Sequence, residues 1–503
     1  LYLGLDLGTS ELKALLLADD HRAVGVARAP LTVSRPRPLW SEQAPSQWWE
    51  ALERVMAELR ETHPEALGAV RAIGLSGQMH GATLLDAAGE VLRPAILWND
   101  GRSGVQCESL AQAVPRLSEI AGNLAMPGFT APKVLWVREH EPENFARIAR
   151  VLLPKDWLRF MLSGEAVSDM SDAAGTLWLD VGARDWSDEL LAATGLTREH
   201  MPRLVEGSEA SAQLKPELAA RWGVGVGSGN AAVLIAGGAG DNAASAVGMG
   251  LVAPGQGFVS LGTSGVVFVS TDRFLPNPAQ AMHAFCHALP GRWHQMSVML
   301  SAASAVSWAA KTFMFADEAA LLDAAASVGS AQRARCPLFL PYLSGERSPH
   351  NNPDAQGTLF GLTHAHGPAE IAYAVVEGVS FGLRDGFDTL RLPADMPLRE
   401  MALVGGGARS VWWGQLLADI LKVPLTLYAG SETGGALGAA RLAWLADGGS
   451  VAQVCALPPV KQQLVPAAAD EGLHNTRHAR FRSLYAALEG EFRQPGTATV
   501  HAQ

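Results

Sequence analysis

The sequence predicts an α/β fold in two halves, and three observations carry that prediction. Short apolar runs that end in glycine alternate with segments of helical period. The tetrapeptide Leu-Gly-Thr-Ser occurs twice, at Leu7–Ser10 and Leu261–Ser264, about half a chain apart and each time between strand-like runs. A Gly/Pro-rich connector, GMGLVAPGQ at Gly248–Gln256, lies before the second copy, so the halves are set at residues 1–249 and 250–503.

Taken in order, LYLGLDLGTSELKALLL reads as strand, turn, strand, because a helix would tolerate neither of its glycines well. Trp48–Leu59 is amphipathic at helical spacing, Val70–Gln78 is a strand ended by glycine, and PAILWND (Pro94–Asp100) is a strand ending in polar residues. GVGVGSG (Gly223–Gly229) looks like a nucleotide loop but is followed by the strand-like AAVLIAGG rather than a helix, so it is read as a flexible loop. In AGGAGDNAASAVG (Ala236–Gly248) a strand ends in small residues, presents Asp241 and Asn242, and passes into an alanine-rich helix. GFVSLGTSGVVFV repeats the opening hairpin, and Met401–Leu421 runs from strand through a triple glycine into a helix.

Composition narrows the function. With 503 residues, 48% of them hydrophobic and 18% charged, the chain can bury more than one core, and no window approaches the roughly 18 apolar residues of a spanning helix. It is read as a soluble protein, cytoplasmic, with no export leader at its start. Four scattered cysteines without a C-x-x-C pair argue against a zinc site or disulfide framework and fit a reducing compartment. A net charge of −11 argues against nucleic-acid and anionic-membrane surfaces, leaving a small molecule as the expected partner.

A tight turn of small residues aims successive N–H groups and a hydroxyl at one point, which binds phosphate without cationic side chains. Gly8, Thr9 and Ser10, with Lys13 close behind, suit that role, and so do Gly262, Thr263 and Ser264. A single such turn is also what a plain hairpin needs; two copies favour phosphate. Asp6, on the incoming strand, is placed to hold magnesium. Asp241, at a helix start cleared by glycines, can accept a proton from an alcohol attacking phosphorus, or can cap the helix, or both.

These residues lead to a resemblance that spans essentially the whole chain. GFTAPKVLWVREH (Gly128–His140) and GTLFGLTHAHGPAEIAYAVVE (Gly357–Glu377) are similar to the two long signatures of the FGGY family of carbohydrate kinases. RPLWSEQ, SGQMHGATLLD, RPAILWNDGR, LLPKDWLRF, SDMSDAAGT and LPYLSGERSPHNNP resemble its bacterial branch acting on D-xylulose. The resemblance implies two ribonuclease-H-like domains of the actin/hexokinase superfamily around a central ATP/sugar cleft. It implies ATP-dependent phosphorylation of D-xylulose at its 5-hydroxyl, in D-xylose breakdown feeding the pentose phosphate pathway, with Mg2+ and a homodimer. It carries the catalytic base to Asp241, magnesium support to Asp6 and Asp241, and sugar contacts to Met79, His80, Trp98, Asp100, Asp241 and Asn242. ATP phosphates fall to the two turns, and adenine to Gly405, Gly406, Gly407 and Ala408.

Two departures from the family pattern stand out. The triple glycine before the catalytic aspartate reads Gly238-Ala239-Gly240, and Glu11 stands where a small residue is usual. Backbone amides do the binding in such a turn, so Glu11 is expected to point into solvent. Were it to face the cleft instead, its charge would cost about 1 kcal/mol beside a triphosphate. Two other readings stay open: a kinase for another pentulose or a polyol, and an ATPase or idle sugar sensor on the same fold.

Overall fold

The structure is a computed structural model that describes residues 1–227, 232–429 and 434–492. The last two residues of the Gly223–Gly229 loop lie outside that set. The first half holds β1 (Tyr2–Leu7), β2 (Glu11–Leu17), β3 (Ala23–Pro30), β4 (Ala72–Gly77), α1 (Thr130–His140), α2 (Pro154–Ser163), β5 (Ala210–Gln213), β6 (Leu234–Ala236), β7 (Ala239–Gly240) and α3 (Asp241–Met249). The second holds β8 (Gly257–Leu261), β9 (Gly265–Thr271), β10 (His283–Cys286), β11 (Trp293–Met299), β12 (Met401–Val404), β13 (Leu425–Tyr428), α4 (Gly434–Ala446) and β14 (Val460–Leu464).

Each half builds one mixed sheet. The first runs β5-β6-β4-β1-β2-β3, with β7 also beside β4; the second runs β10-β11-β9-β8-β12-β13-β14. Five strands match one to one, β3-β2-β1-β4-β6 against β11-β9-β8-β12-β13. In both sets two antiparallel pairings are followed by two parallel ones. The two Leu-Gly-Thr-Ser turns therefore hold the same place in the two sheets. This is the repeat that the sequence announces, and the fold is a two-domain α/β structure.

One element crosses between the halves. Along β1, Leu3, Leu5 and Leu7 join the core that contains Trp48, Leu52 and Leu59 on the predicted helix, here Pro45–Thr62. The alternate residues Tyr2, Gly4 and Asp6 face α4, although α4 lies late in the chain. That contact needs glycine: a Cβ on Gly4 would lie 2.0 Å from the Ala436 carbonyl oxygen, and one on Gly74 would lie 1.8 Å from that of Ala439. The helix also packs on α3, where Gly438 meets the Ala244 carbonyl.

The Pro94–Asp100 strand is shorter than the sequence suggests. It pairs only at Ala95–Ile96, because its partner is the two-residue strand Glu42–Gln43 and the Asp100 N–H turns back onto the Leu97 carbonyl. Among the described residues no helix is long and apolar enough to cross a membrane. The four cysteines are free and buried.

Candidate active site

The sheet explains why two distant aspartates meet. β1 and β7 both lie along β4, with Asp6 and Ala239 each opposite Ser76, so Asp241 emerges at the strand end that carries Asp6. Asp241 is the first residue of α3 and does not cap it: Gly240 holds the cap position, and no side chain caps the helix. The carboxylate instead accepts bonds on Oδ1 from the Asn242 N–H (2.7 Å) and Nδ2 (2.9 Å). Burial pushes the Asp241 carboxyl up to about 7, reinforced by the like charge of Asp6 and opposed by the two Asn242 bonds.

Asp6 is raised as well, chiefly by burial. Its Oδ1 is closed to solvent, and neither it nor the neighbouring Ser76 hydroxyl completes a hydrogen bond of good geometry among the described residues. The first turn of α4 lies against the same carboxyl, so close that a Cβ on Gly435 would approach Oδ2 to 2.6 Å. Bare backbone at a helix start favours an anion there.

The first hairpin tip is already hydrogen-bonded inside the protein. The Gly8 N–H donates to the Glu11 carbonyl (3.0 Å), closing the turn. The Thr9 hydroxyl donates to Gln78 Oε1 (3.1 Å) and accepts from Trp98 Nε1 (2.9 Å), while Gln43 Nε2 donates to the Thr9 carbonyl (2.7 Å). Ser10 is the exposed residue of the tip. Glu11 sits 3.5 Å from Arg28 Nη1 and 3.7 Å from Lys13 Nζ, with 37% of its side chain exposed. It is a surface carboxylate shared by two cations, which answers the question its presence raised.

The remaining predicted sugar contacts are Met79, His80, Trp98 and Asp100. Met79 is buried and packs against Gly240 and Gly175. His80 takes φ +68°, an uncommon conformation for a residue with a side chain, and its carbonyl is held by Thr130 Oγ1 (3.1 Å) and Lys133 Nζ (2.8 Å). His80 Nδ1 donates to the Gly175 carbonyl (2.6 Å), so the ring is the Nδ1–H tautomer with Nε2 an acceptor. Burial holds it neutral, its pKa lowered to about 3. Trp98 uses its N–H on Thr9 and so offers its ring. Asp100 takes four bonds, from the Ser41 N–H and from the Arg102 backbone N–H, Nε and Nη2, so this carboxylate reaches the site already paired.

In the second half, the Gly262 and Thr263 carbonyls accept from Ala302, Ala303 and Ser304 and so anchor the start of helix Ala303–Thr312. Gly405, at φ +93°, touches Leu261 and Gly262, which puts the triple-glycine loop against the second Leu-Gly-Thr-Ser turn. A cleft of about 850 Å³ opens between the halves, lined by Lys13, Asn242, Gly405, Gly406, Ala408 and Gly435 among others. A second cavity, of about 640 Å³, lies across the same loop and is lined by Gly406, Gly407, Ser307 and Trp413.

Sequence reasoning missed several supporting residues. Gln43 and Gln78 join the first turn to Trp48, and both lay in segments, RPLWSEQ and SGQMHGATLLD, that carried resemblance, with no role assigned to either. Lys133, fully buried and held well below its usual pKa by burial, lay unremarked inside the first signature.

Comparison with known proteins agrees with this architecture. Residues 1–248 match the FGGY family of carbohydrate kinases, N-terminal domain, and residues 257–446 match its C-terminal domain. The chain is 52% identical to the xylulose kinase of Escherichia coli K12, over 97% of this chain and 99% of that one. It is 54% identical to that of Klebsiella pneumoniae, over 89% and 90%. The crystal structure of a "xyloylose kinase" from Brucella ovis superposes with a TM-score of 0.92 at 49% identity, covering 97% of this chain and 99% of that one. On this fold, site and likeness, the chain belongs to the FGGY family of carbohydrate kinases, enzymes that act on a sugar with ATP.

Proposed function

We propose that this protein is an ATP-dependent D-xylulose kinase that phosphorylates the 5-hydroxyl. The observation that carries the reading is Asp241: a carboxylate pushed up to about 7, at a helix start beside Asp6, in a chain 52% identical to a named xylulose kinase. A base with that pKa is half ionised near neutral pH, so it takes a hydroxyl proton and gives it up again. Asn242 fixes the carboxylate through Oδ1 and so aims it. Neutral His80 presents Nε2 to a sugar hydroxyl, and the Trp98 ring closes one side of the sugar. Phosphoryl transfer has a loose transition state, so positioning and charge stabilisation supply most of the rate.

Asp6 fits a magnesium ion, because Oδ1 is a buried hard oxygen donor with no hydrogen bond of its own among the described residues. Asp6 and Asp241 would hold it, and the chemistry it supplies when bound is neutralisation of phosphate charge. ATP lies in the cleft that Lys13, Gly405, Gly406 and Ala408 line; the approach of the two Leu-Gly-Thr-Ser turns to its phosphates is carried over from the family resemblance. The sugar-binding half is residues 1–249 and the nucleotide half 250–503. Four reduced cysteines suit a cytoplasmic location, and a homodimer is carried over from the family.

The test is ADP release from MgATP with D-xylulose, D-ribulose, L-xylulose, D-fructose or glycerol, with the product identified by mass. A response confined to D-xylulose is expected. A larger response to another sugar discards the substrate and keeps the chemistry, and silence from all discards both.

A further inference from the structure

Arg347 is a cation with no task in the site described above. Among the described residues its guanidinium makes no hydrogen bond and no ion pair; its backbone N–H donates to Glu346 Oε1 (2.7 Å) and its carbonyl accepts from the Asn351 N–H (2.5 Å). Glu346 makes no ion pair with it among the described residues: its Oε1 accepts from the Leu300 N–H (3.0 Å) and the Arg347 backbone N–H (2.7 Å). The loop is fixed nonetheless. Glu346 and Asn352 exchange backbone bonds of 2.8 Å, and Ser348 bonds the Val298 carbonyl (3.1 Å) and the Ala281 carbonyl (2.7 Å).

The half-buried side chain reaches out of the second half toward the first. A Cβ placed on Gly128 would lie 3.8 Å from Arg347 Nη2 and 2.7 Å from the Trp98 carbonyl oxygen. Its charge helps hold down the pKa values of His80, Lys133 and His283, after burial in each case. Phe129 lies in the same group, its ring 4.7 Å from that of His80 and 5.6 Å from that of His283. Gly240, beside Asp241, meets Met79; His80 follows Met79; and Lys133 Nζ donates to both the His80 carbonyl (2.8 Å) and the Gly128 carbonyl (2.7 Å), with Arg347 against Gly128.

We propose that Arg347 is a specificity-determining residue that binds the keto end of the open-chain sugar, donating to the C2 carbonyl oxygen and the C1 hydroxyl while the 5-hydroxyl faces Asp241. The proposal rests on the D-xylulose reading above. A guanidinium is a planar fork of donors and matches two adjacent oxygens, as a 1-hydroxy-2-ketone presents them. A polyol has no carbonyl acceptor there, so its binding gains less from the fork.

The experiment compares wild type with Arg347→Met on D-xylulose and on D-arabitol, one of the two polyols formed by reducing C2. Arg347→Met is expected to raise the KM for D-xylulose about tenfold or more, to leave kcat and the KM for MgATP within about threefold, and to shrink the ketose-over-polyol ratio of kcat/KM about tenfold. An unchanged ratio, whether both substrates suffer equally or neither does, overturns the proposal. If circular dichroism shows Arg347→Met unfolded, Arg347→Lys decides the matter: it keeps the charge and loses the fork, so the ratio must fall. Wild type inactive on D-xylulose overturns the functional reading and this one with it. Active wild type with an unshifted ratio overturns this one alone.

Discussion

Two groups of carboxylates lie on either side of Gly240, and they differ in the cations that accompany them. Asp156, Asp169 and Asp172 surround Lys155 Nζ at 2.6, 2.7 and 3.2 Å, with Arg159 3.6 Å from Asp156. Burial alone would lower the Lys155 pKa, but the three carboxylates overcome it and raise it. Asp6 and Asp241 have no cation in contact among the described residues, and both are pushed toward protonation by burial. The groups are joined: the Gly240 N–H donates to Ser171 Oγ (3.1 Å), and that hydroxyl donates to Asp169 (2.5 Å). A cluster that carries its own cations is committed to structure, while a pair left without one is what the proposed proton and metal chemistry needs.

The largest effect that separates them is on turnover. Asp241→Asn is expected to lower kcat by about 10²–10⁴-fold while far-UV circular dichroism stays unchanged. Turnover near that of wild type would remove Asp241 from the role of base. Lys155→Met sharpens the contrast from the structural side, because it strands three carboxylates in the interior. A loss of about 3–5 kcal/mol in urea unfolding is expected, and a loss under about 1 kcal/mol would show that the cluster does not hold the fold.

The smallest effect is on pH dependence. With a folded pKa of about 7, kcat/KM should fall as pH drops below neutrality. Asp6→Asn should move that midpoint down, since it removes a like charge; an unmoved midpoint would show the two aspartates uncoupled. Stability follows the same shift. A carboxyl raised on folding stabilises below its unfolded pKa near 4, and that contribution is lost as pH rises to about 7. Asp241→Asn should therefore melt above wild type near pH 8, with the gap closing by about pH 4.

Some of this was legible residue by residue. The glycine-ended runs and the doubled Leu-Gly-Thr-Ser marked both hairpins, because period and turn chemistry are local. The capping alternative for Asp241 was locally reasonable, and it failed because Gly240 is pinned by β4 and Ser171, which moves the helix start one residue on. Asp100 was assigned to the sugar by resemblance, and its pairing with Arg102 was not legible in the sequence. Arg347 sat in a segment that carried only resemblance, since its position opposite Gly128 exists only once the halves are packed.

By itself the sequence determined the class of fold, the repeat and the family, and it named the residues proposed to carry the chemistry. Each of those rests on local period, turn geometry or a contiguous motif. Tertiary structure alone decided that α4 covers Asp6, that burial raises Asp6 and Asp241, and that Glu11 lies at the surface between Arg28 and Lys13. The physical reason is that desolvation and pairing depend on which segments meet, and the meeting of residues 6, 241 and 435 is set by strand order and glycine-tight packing.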